Sequence, residues 1–269
     1  METGTGRGVP PPSGLPPVDV AVRTFNSDRT LEACLRAARK WLPIHHLWVI
    51  DRNSTDASRR IAGSLGAEIR SEEAGIGRAT RMGFELADTP TVLFLDSDVE
   101  LVRPDFYRRA CEYLADPRVG AVVGNACRHL FAYGLPLGLT LLPVAWGRTV
   151  ALPETAQGSE TYYLRRALAR DHRKVVYIPD AMIHRTPYRG RNWPEWQGAQ
   201  IRTAAGRNPR ELAFSLLVPF LIHANSRSAR NLLYTPIFDL KLLRGYLTPD
   251  RWRVRDRRTP AGSNGDLPR

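Results

Sequence analysis

The sequence has little cysteine. Cys34, Cys111 and Cys127 are odd in number and none is spaced C-x-x-C, so neither a disulfide framework nor a zinc site is indicated, and a reducing compartment fits. Long apolar runs are missing too. The longest, Leu135 to Val144 and Leu212 to Ala224, both contain proline and fall short of the roughly 20 residues that a membrane span needs. The opening METGTGRGVPPPSGLPPVD holds no apolar h-region and does not read as a secretory leader. No G-x-G-x-x-G follows the first predicted strand, where the turn reads R-T-F-N-S; this argues against a dinucleotide oxidoreductase. A nucleotidyltransferase would open on a Gly-rich basic loop, and none follows Val18 to Arg23. Carboxylates are scarce in the last third. Residues 181–269 hold 16 Lys+Arg against 6 Asp+Glu, whereas the first 180 hold 23 against 21. The net charge of +12 therefore sits almost wholly in the tail third. Such a surface attracts nucleic acid, anionic membrane or anionic substrate, or is only a solvated face.

Set against these absences are 269 residues and 43% apolar content, enough for one large α/β domain with an appendage. Val18–Arg23, Leu47–Ile50, Ala67–Arg70, Val92–Leu95, Val119–Gly124 and Val175–Ile178 read as strands. Between them, helices are predicted over Asp28–Trp41, from the Asp56 cap to Leu65, over Arg78–Ala87, from Pro104 to about Ala115, and over Glu160–Arg170. This alternation with short connections predicts βαβ units, a mainly parallel sheet and helices on both of its faces. Asn125 to Ser159 reads as irregular, and helices follow Gly190, with Leu212–His223 and Leu232–Leu243 as the clearest. The expected organisation is a disordered tail 1–17, a domain 18–190 in two halves (18–124 and 125–190), a helical basic region 191–258 and a disordered tail 259–269.

The most informative stretch is VLFLDSDVEL, residues 92–101. Four apolar residues read as a buried strand, and Asp96-Ser97-Asp98 closes it at the end where open α/β sheets bind ligands. A carboxylate pair there can hold a hard divalent cation, and the cation a phosphate. Three other strand ends carry similar punctuation: Thr24-Phe25-Asn26, Asp51 to Asp56, and Gly75-Ile76-Gly77. Turns are rich in such residues for backbone reasons alone, but in a parallel sheet these four segments share one edge.

VAVRTFNSDRTLEACL, VIDRNSTDAS, GIGRATRMGFELA and FLDSD, in that order over residues 18–124, resemble the nucleotide-sugar half of family-2 glycosyltransferases with the GT-A fold. The resemblance implies an inverting, metal-dependent transfer of a sugar from a nucleotide-diphosphate sugar to a hydroxyl acceptor, a glycan or a lipid-linked molecule. It places Asp51 on the nucleobase, with Thr24 lining that pocket, and Asn26, Arg81 and Ser97 among the donor-binding residues. Asp96 would approach the ribose or the metal, and Asp98 would bind Mn²⁺ or Mg²⁺. GSETYYLRRALARDHRKVVYIPDAMIH resembles the family's second half, where an acidic residue before a helix is the base and a later His completes the metal shell; Glu160 and His184 fit these roles. Of the aromatic residues Trp146, Tyr162, Tyr163, Tyr188, Trp193 and Trp196, most read as core; Trp193 and Trp196 are the acceptor-site candidates.

The chain departs from the family pattern at Arg52, Asn53, Arg81 and Thr161, which keeps open a catalytically inactive nucleotide-sugar or anionic-surface binder. No Q-x-x-R-W is present, which argues against a processive synthase. A nucleic-acid binder would use the basic tail but leave the D-S-D cluster unexplained, so no nucleic-acid partner is expected. Arg202 to Arg258 alternates apolar stretches with arginines, as a segment lying on an anionic membrane would. The expected location is cytoplasmic, with peripheral attachment to the inner face of the membrane as an extension of it.

Overall fold

The computed structural model describes residues 14–125, 134–153, 159–185, 193–225 and 229–249. In chain order the elements are β1 (Val18–Thr24), α1 (Leu31–Trp41), β2 (Ile44–Asp51), α2 (Ser58–Ser64), β3 (Glu68–Ser71), α3 (Ile76–Leu86), β4 (Thr91–Asp96), β5 (Val99–Leu101), α4 (Phe106–Leu114) and β6 (Val119–Asn125). They continue with β7 (Leu139–Pro143), α5 (Val144–Gly147), α6 (Glu160–Arg170), β8 (Lys174–Pro179), β9 (Met182–His184), α7 (Trp193–Ala205), α8 (Pro209–Asn225) and α9 (Ala229–Leu247).

One seven-stranded sheet has the order β3-β2-β1-β4-β7-β6-β8. It is mainly parallel: β1 pairs in parallel with β2 and β4, β2 with β3, and β6 with β8. β7 alone runs against its neighbours β4 and β6. All seven residues of β1 are buried, as a central strand covered on both faces requires. Side chains alternate across it. Val18, Val20 and Val22 pack with Leu31, Cys34 and Leu35 of α1 and with Phe106 and Ala110 of α4. Ala21 faces the opposite layer, with Phe84 of α3, Leu164 and Leu168 of α6, and Trp146. The predicted Rossmann-like layering of the GT-A type is the observed one, and a helical region follows it.

Some local expectations need correction. The segment from Asn125 to Ser159 contains β7 and α5, so part of it is central sheet. β7 is apolar on both faces, LTLLP, and shows no alternation to read; Pro136, Gly138 and Pro143 around it resemble a loop. Asp56 does not stand at the helix cap, because α2 begins at Ser58; its Oδ1 accepts the Ser58 N–H at 2.9 Å and its Oδ2 the Asp28 N–H at 3.0 Å. Pro104 precedes α4 by two residues rather than opening it. Residues 14–17 are placed, and the Pro16 carbonyl accepts the Tyr107 hydroxyl at 2.9 Å. Residues 1–13 and 250–269, together with Cys127 and Tyr188, lie outside the described residues.

The last three helices have a small core of their own, built on Ile201, Val218, Phe238, Leu242 and Tyr246. α7 and α9 touch backbone to backbone. A Cβ on Gly198 would meet the Leu242 carbonyl, and one on Gly245 the Glu195 carbonyl. No helix among the described residues is long and apolar enough to cross a membrane.

Candidate active site

The parallel pairing of β1 with β2 and β4 brings three C-terminal strand ends to one edge. In register, Thr24 lies beside Asp51 and Arg23 beside Asp96. A cavity of about 1510 Å³ opens there and is closed on its far side by α6 and α7. Thr24, Asn26, Asp96, Ser97, Asp98, Glu160, His184, Trp193 and Trp196 all line it. Asp51 and Arg81 do not.

Asp98 and His184 meet through a two-stranded sheet that the sequence reading did not contain. β5 and β9 pair antiparallel, with Val99 opposite His184, and the Arg185 N–H donates to the Asp98 carbonyl at 2.7 Å. His184 Nδ1 consequently lies 3.7 Å from Asp98 Oδ1, with both side chains about one-third exposed to the cavity. Gly138 leaves room beside them: a Cβ there would stand 3.3 Å from Asp96 Oδ2 and 3.8 Å from His184 Cε1. A carboxylate oxygen and an imidazole nitrogen this close suit Mn²⁺ or, less well, Mg²⁺, with the remaining positions left for phosphate oxygens and water.

The floor of the cavity is ionic. Arg23, only 7% exposed at the end of β1, donates from Nη1 to Glu160 Oε1 at 3.1 Å and to Thr80 Oγ1 at 3.3 Å. Its Nη2 donates to Asp96 Oδ1. One guanidinium thus holds two carboxylates from different halves of the chain, a geometry that its fixed fork of donors permits and a lysine would not. Glu160 is 1% exposed. Burial pushes its carboxyl above the ordinary value, and the Arg23 charge opposes that rise. Among the described residues Glu160 Oε2, Arg23 Nε and Thr24 Oγ1 find no hydrogen-bond partner. Buried polar atoms without partners are uncommon, and three on one cavity wall indicate groups that a ligand satisfies.

The donor-end expectations divide. Thr24 presents its unpartnered hydroxyl. Asn26 adopts a positive φ of 47°, which asparagine tolerates better than most residues. The residue ties two loops together, its side-chain Oδ1 accepting the Thr55 N–H at 2.9 Å while its backbone N–H donates to Ser54 Oγ at 2.9 Å. Ser97 Oγ lies 2.8 Å from Ser27 Oγ. Asp51 is wholly buried and already committed, with Oδ2 accepting the Ser54 N–H at 3.0 Å and Arg59 Nη1 at 3.0 Å. In this arrangement both of its oxygens serve the loop from Ser54 to Arg59, outside the cavity lining. Arg81 points away, its guanidinium bonded to the Leu152 carbonyl. In their stead Phe25 stands exposed with the Arg52 guanidinium 5.8 Å from its ring centroid, and buried Glu72 lines the cavity while its Oε2 accepts the Gly75 N–H at 2.5 Å. That bond opens α3, and Gly75 needs its glycine because its φ is 111°.

Across the cavity, α7 supplies Trp193, Trp196 and Gln200. Trp193 also packs against Phe238, ring centroids 5.6 Å apart. Gln200 is 5% exposed and neither atom of its carboxamide has a partner among the described residues. Trp146 is core, its Nε1 donating to Asp171 Oδ2 at 2.8 Å. Tyr162 is buried but reaches the cavity, and Tyr163 packs into the core.

Arg23, Glu72 and Gln200 escaped the sequence reading. Arg23 did leave a signal, a charge at the end of a mostly apolar predicted strand; Gln200 left none, because only helix packing turns it inward. A separate group, Asp19, His45 and His46, brings potential metal ligands within 4.8 Å of one another. It lies at the opposite end of β1 from the cavity, and Asp19 is already spent: Oδ2 accepts the N–H of Asp88 (2.6 Å) and Thr89 (2.7 Å) and the Thr89 hydroxyl (2.9 Å).

Compared with known proteins, residues 19–132 match the family described as Glycosyl transferase family 2. No curated protein matches the chain. Among solved structures it resembles a mycobacterial protein, at 16% identity and a TM-score of 0.58, over 70% of this chain and 74% of that one. It also resembles glucosyl-3-phosphoglycerate synthase from Mycobacterium tuberculosis in complex with Mn²⁺, UDP and glucosyl-3-phosphoglycerate, at 19% identity and a TM-score of 0.56, over 70% and 80%. The same enzyme with Mn²⁺, UDP-glucose and phosphoglyceric acid gives 18% and 0.56, over 71% and 79%. At these identities the likeness is one of fold.

Proposed function

We propose that this chain, a glycosyltransferase of family 2 over residues 19–132, transfers a sugar from a nucleotide-diphosphate sugar to an acceptor hydroxyl with inversion of the anomeric carbon. The observation that carries the proposal is the Arg23 bridge. It fixes Glu160 and Asp96 on one cavity floor, beside the Asp98–His184 pair, and leaves Glu160 Oε2 unpartnered.

The roles follow from position. Thr24, Asn26, Ser97 and Asp96 surround the donor, with Phe25 and Arg52 offering a stacking surface for its base. Asp98 and His184 would hold Mn²⁺ or Mg²⁺, which supplies Lewis-acid stabilisation of charge on a diphosphate. Glu160 Oε2 accepts the proton of the acceptor hydroxyl, and its raised proton affinity suits it to that task. As the hydroxyl oxygen forms its bond to the anomeric carbon, the bond to the diphosphate oxygen breaks and that oxygen keeps the electron pair. One displacement inverts the centre and needs no covalent nucleophile.

The acceptor is a glycan or a lipid-linked hydroxyl compound that enters between α6 and α7. The lining there supports an uncharged, hydroxyl-rich group: Trp193 and Trp196 offer ring faces, and Gln200 offers one donor and one acceptor. Arg185, which lines the cavity, is held by Glu100.

A screen of UDP-, GDP- and dTDP-sugars for Mn²⁺-dependent thermal stabilisation tests the donor assignment; a ligand at about 100 times its Kd adds about 2.7 kcal/mol. NMR of the product anomer tests inversion. A chain that no nucleotide sugar stabilises, or that retains the anomeric configuration, overturns the reading.

A further inference from the structure

We propose that the outer faces of α8 and α9 dock this chain flat on an anionic membrane. The two helices expose an apolar row on the side away from their own core. On α8 the row is Phe214, Leu217 and Leu221; on α9 it is Leu233, Ile237 and Leu240, of which Leu233 is 78% and Leu240 68% exposed. The spacings, i, i+3, i+7 and i, i+4, i+7, put each trio on one helical face. On α9 the bundle core uses the other side, through Phe238 and Leu242; on α8 it takes Val218, at the flank of the row, with Leu212 and Leu216 packed against it from the far side. Helices apolar on both sides normally lie buried, yet among the described residues these six side chains stay 41–78% exposed on the outer one, with the Arg165 guanidinium 5.4 Å from the Phe214 ring centroid. Scattered exposed leucines need no partner, but a contiguous patch does.

Charge selects the partner. Arg210 continues the α8 row at one turn before Phe214, and Arg244 interrupts the α9 row at one turn after Leu240. Both are exposed, and an arginine at the margin of an apolar face can bury its stem in lipid while its head stays at the phosphates. The two carboxylates of these helices are engaged or half-buried: Glu211 Oε2 accepts Arg165 Nη2 at 3.2 Å, and Asp239 is half-buried; Arg244 keeps one long bond of its own, Nη1 donating to Glu195 Oε1 of α7 at 3.5 Å. Beyond Leu247 the sequence adds five more arginines and Trp252 between Arg251 and Arg258. A second copy would bring like charge against like charge, whereas an anionic bilayer gains roughly fivefold in binding per basic residue near its surface. Neither helix can span, and each carries an internal proline, Pro219 and Pro236. The pair therefore lies in the interfacial plane.

Flotation of the full chain with vesicles of phosphatidylglycerol and phosphatidylcholine tests this without any turnover, so it stands or falls apart from the transfer chemistry. Binding at low salt, at least about tenfold weaker on phosphatidylcholine alone and released by added salt, is the result expected. Leu233→Glu/Ile237→Glu/Leu240→Glu should abolish it; Leu240→Glu alone, at an exposed position, serves if the triple variant does not fold, and should weaken binding about tenfold. Absence of binding to the anionic vesicles overturns the proposal. So does binding that survives these substitutions, or a concentration-dependent dimer that the same substitutions dissolve, which assigns the face to a second copy.

Discussion

His184 Nδ1 stands 3.7 Å from Asp98 Oδ1 because β5 and β9 set Val99 opposite His184. Two donors of this kind act together, so removing either costs most of the site. His184→Ala and Asp98→Asn should each weaken Mn²⁺ affinity about tenfold or more, read from the Mn²⁺ dependence of thermal stabilisation by UDP. An unchanged Mn²⁺ response in both variants removes the pair from the metal shell.

Glu160→Gln keeps the shape and removes the proposed proton acceptor. Transfer should fall by about 10²–10⁴-fold, while stabilisation by Mn²⁺ and UDP persists. Full transfer by this variant would assign the base elsewhere.

The same residue carries a pH signature. Burial holds the folded carboxyl above its ordinary value of 4.5. The folded state therefore keeps a proton that the unfolded state has already lost. Its stabilising contribution is complete below the unfolded pKa and is lost as pH rises through the folded pKa. If Glu160 is the base as proposed, transfer needs its ionised form and should show its acid limb above the usual carboxylate range. Urea unfolding against pH should lose part of its alkaline decline in Glu160→Gln; an unaltered pH dependence contradicts the assignment.

Arg23→Met leaves Glu160 buried without its cation and removes one partner from Asp96. Breaking a buried pair from one side costs about 3–5 kcal/mol. Arg23→Met/Glu160→Gln should recover part of that loss, because the carboxylate is then gone as well. Denaturant titration of the three variants checks the order, and equal stability of wild type and Arg23→Met would dismiss the bridge.

Gln200 offers a trade between stability and function. A buried unsatisfied carboxamide costs about 1–3 kcal/mol, so Gln200→Leu should be as stable as the parent or more so without acceptor. Its KM for the acceptor should rise while the response to Mn²⁺ and UDP holds. A lower stability with unaltered KM would make Gln200 a packing residue.

Where α7 crosses α9, Gly198→Ala drives a methyl group into the Leu242 carbonyl. Overpacking of this kind costs about 1–3 kcal/mol, measurable as a lower urea midpoint at unchanged slope.

The predicted layers, the strands of the first half and the D-S-D placement rested on local signals. Short apolar runs, helical spacing and polar strand ends are written residue by residue, and parallel pairing follows once strands alternate with helices. β7 was illegible because a strand buried on both faces has no alternation and because one of its partners, β4, is remote in sequence. β5 and β9 were too short to show any period. Asp51 carries the family's residue type at the expected place, yet its hydrogen-bond partners, and so its role, depend on where Arg59 comes to rest. Sequence alone thus determined which residues end the strands and that acidic groups gather at one edge, since both are matters of local pattern. The tertiary structure decided which of those groups meet. The Arg23–Glu160 bridge, the Asp98–His184 pair and the inward turn of Gln200 each join distant segments, and only the packing of helices on the sheet sets the distances between them.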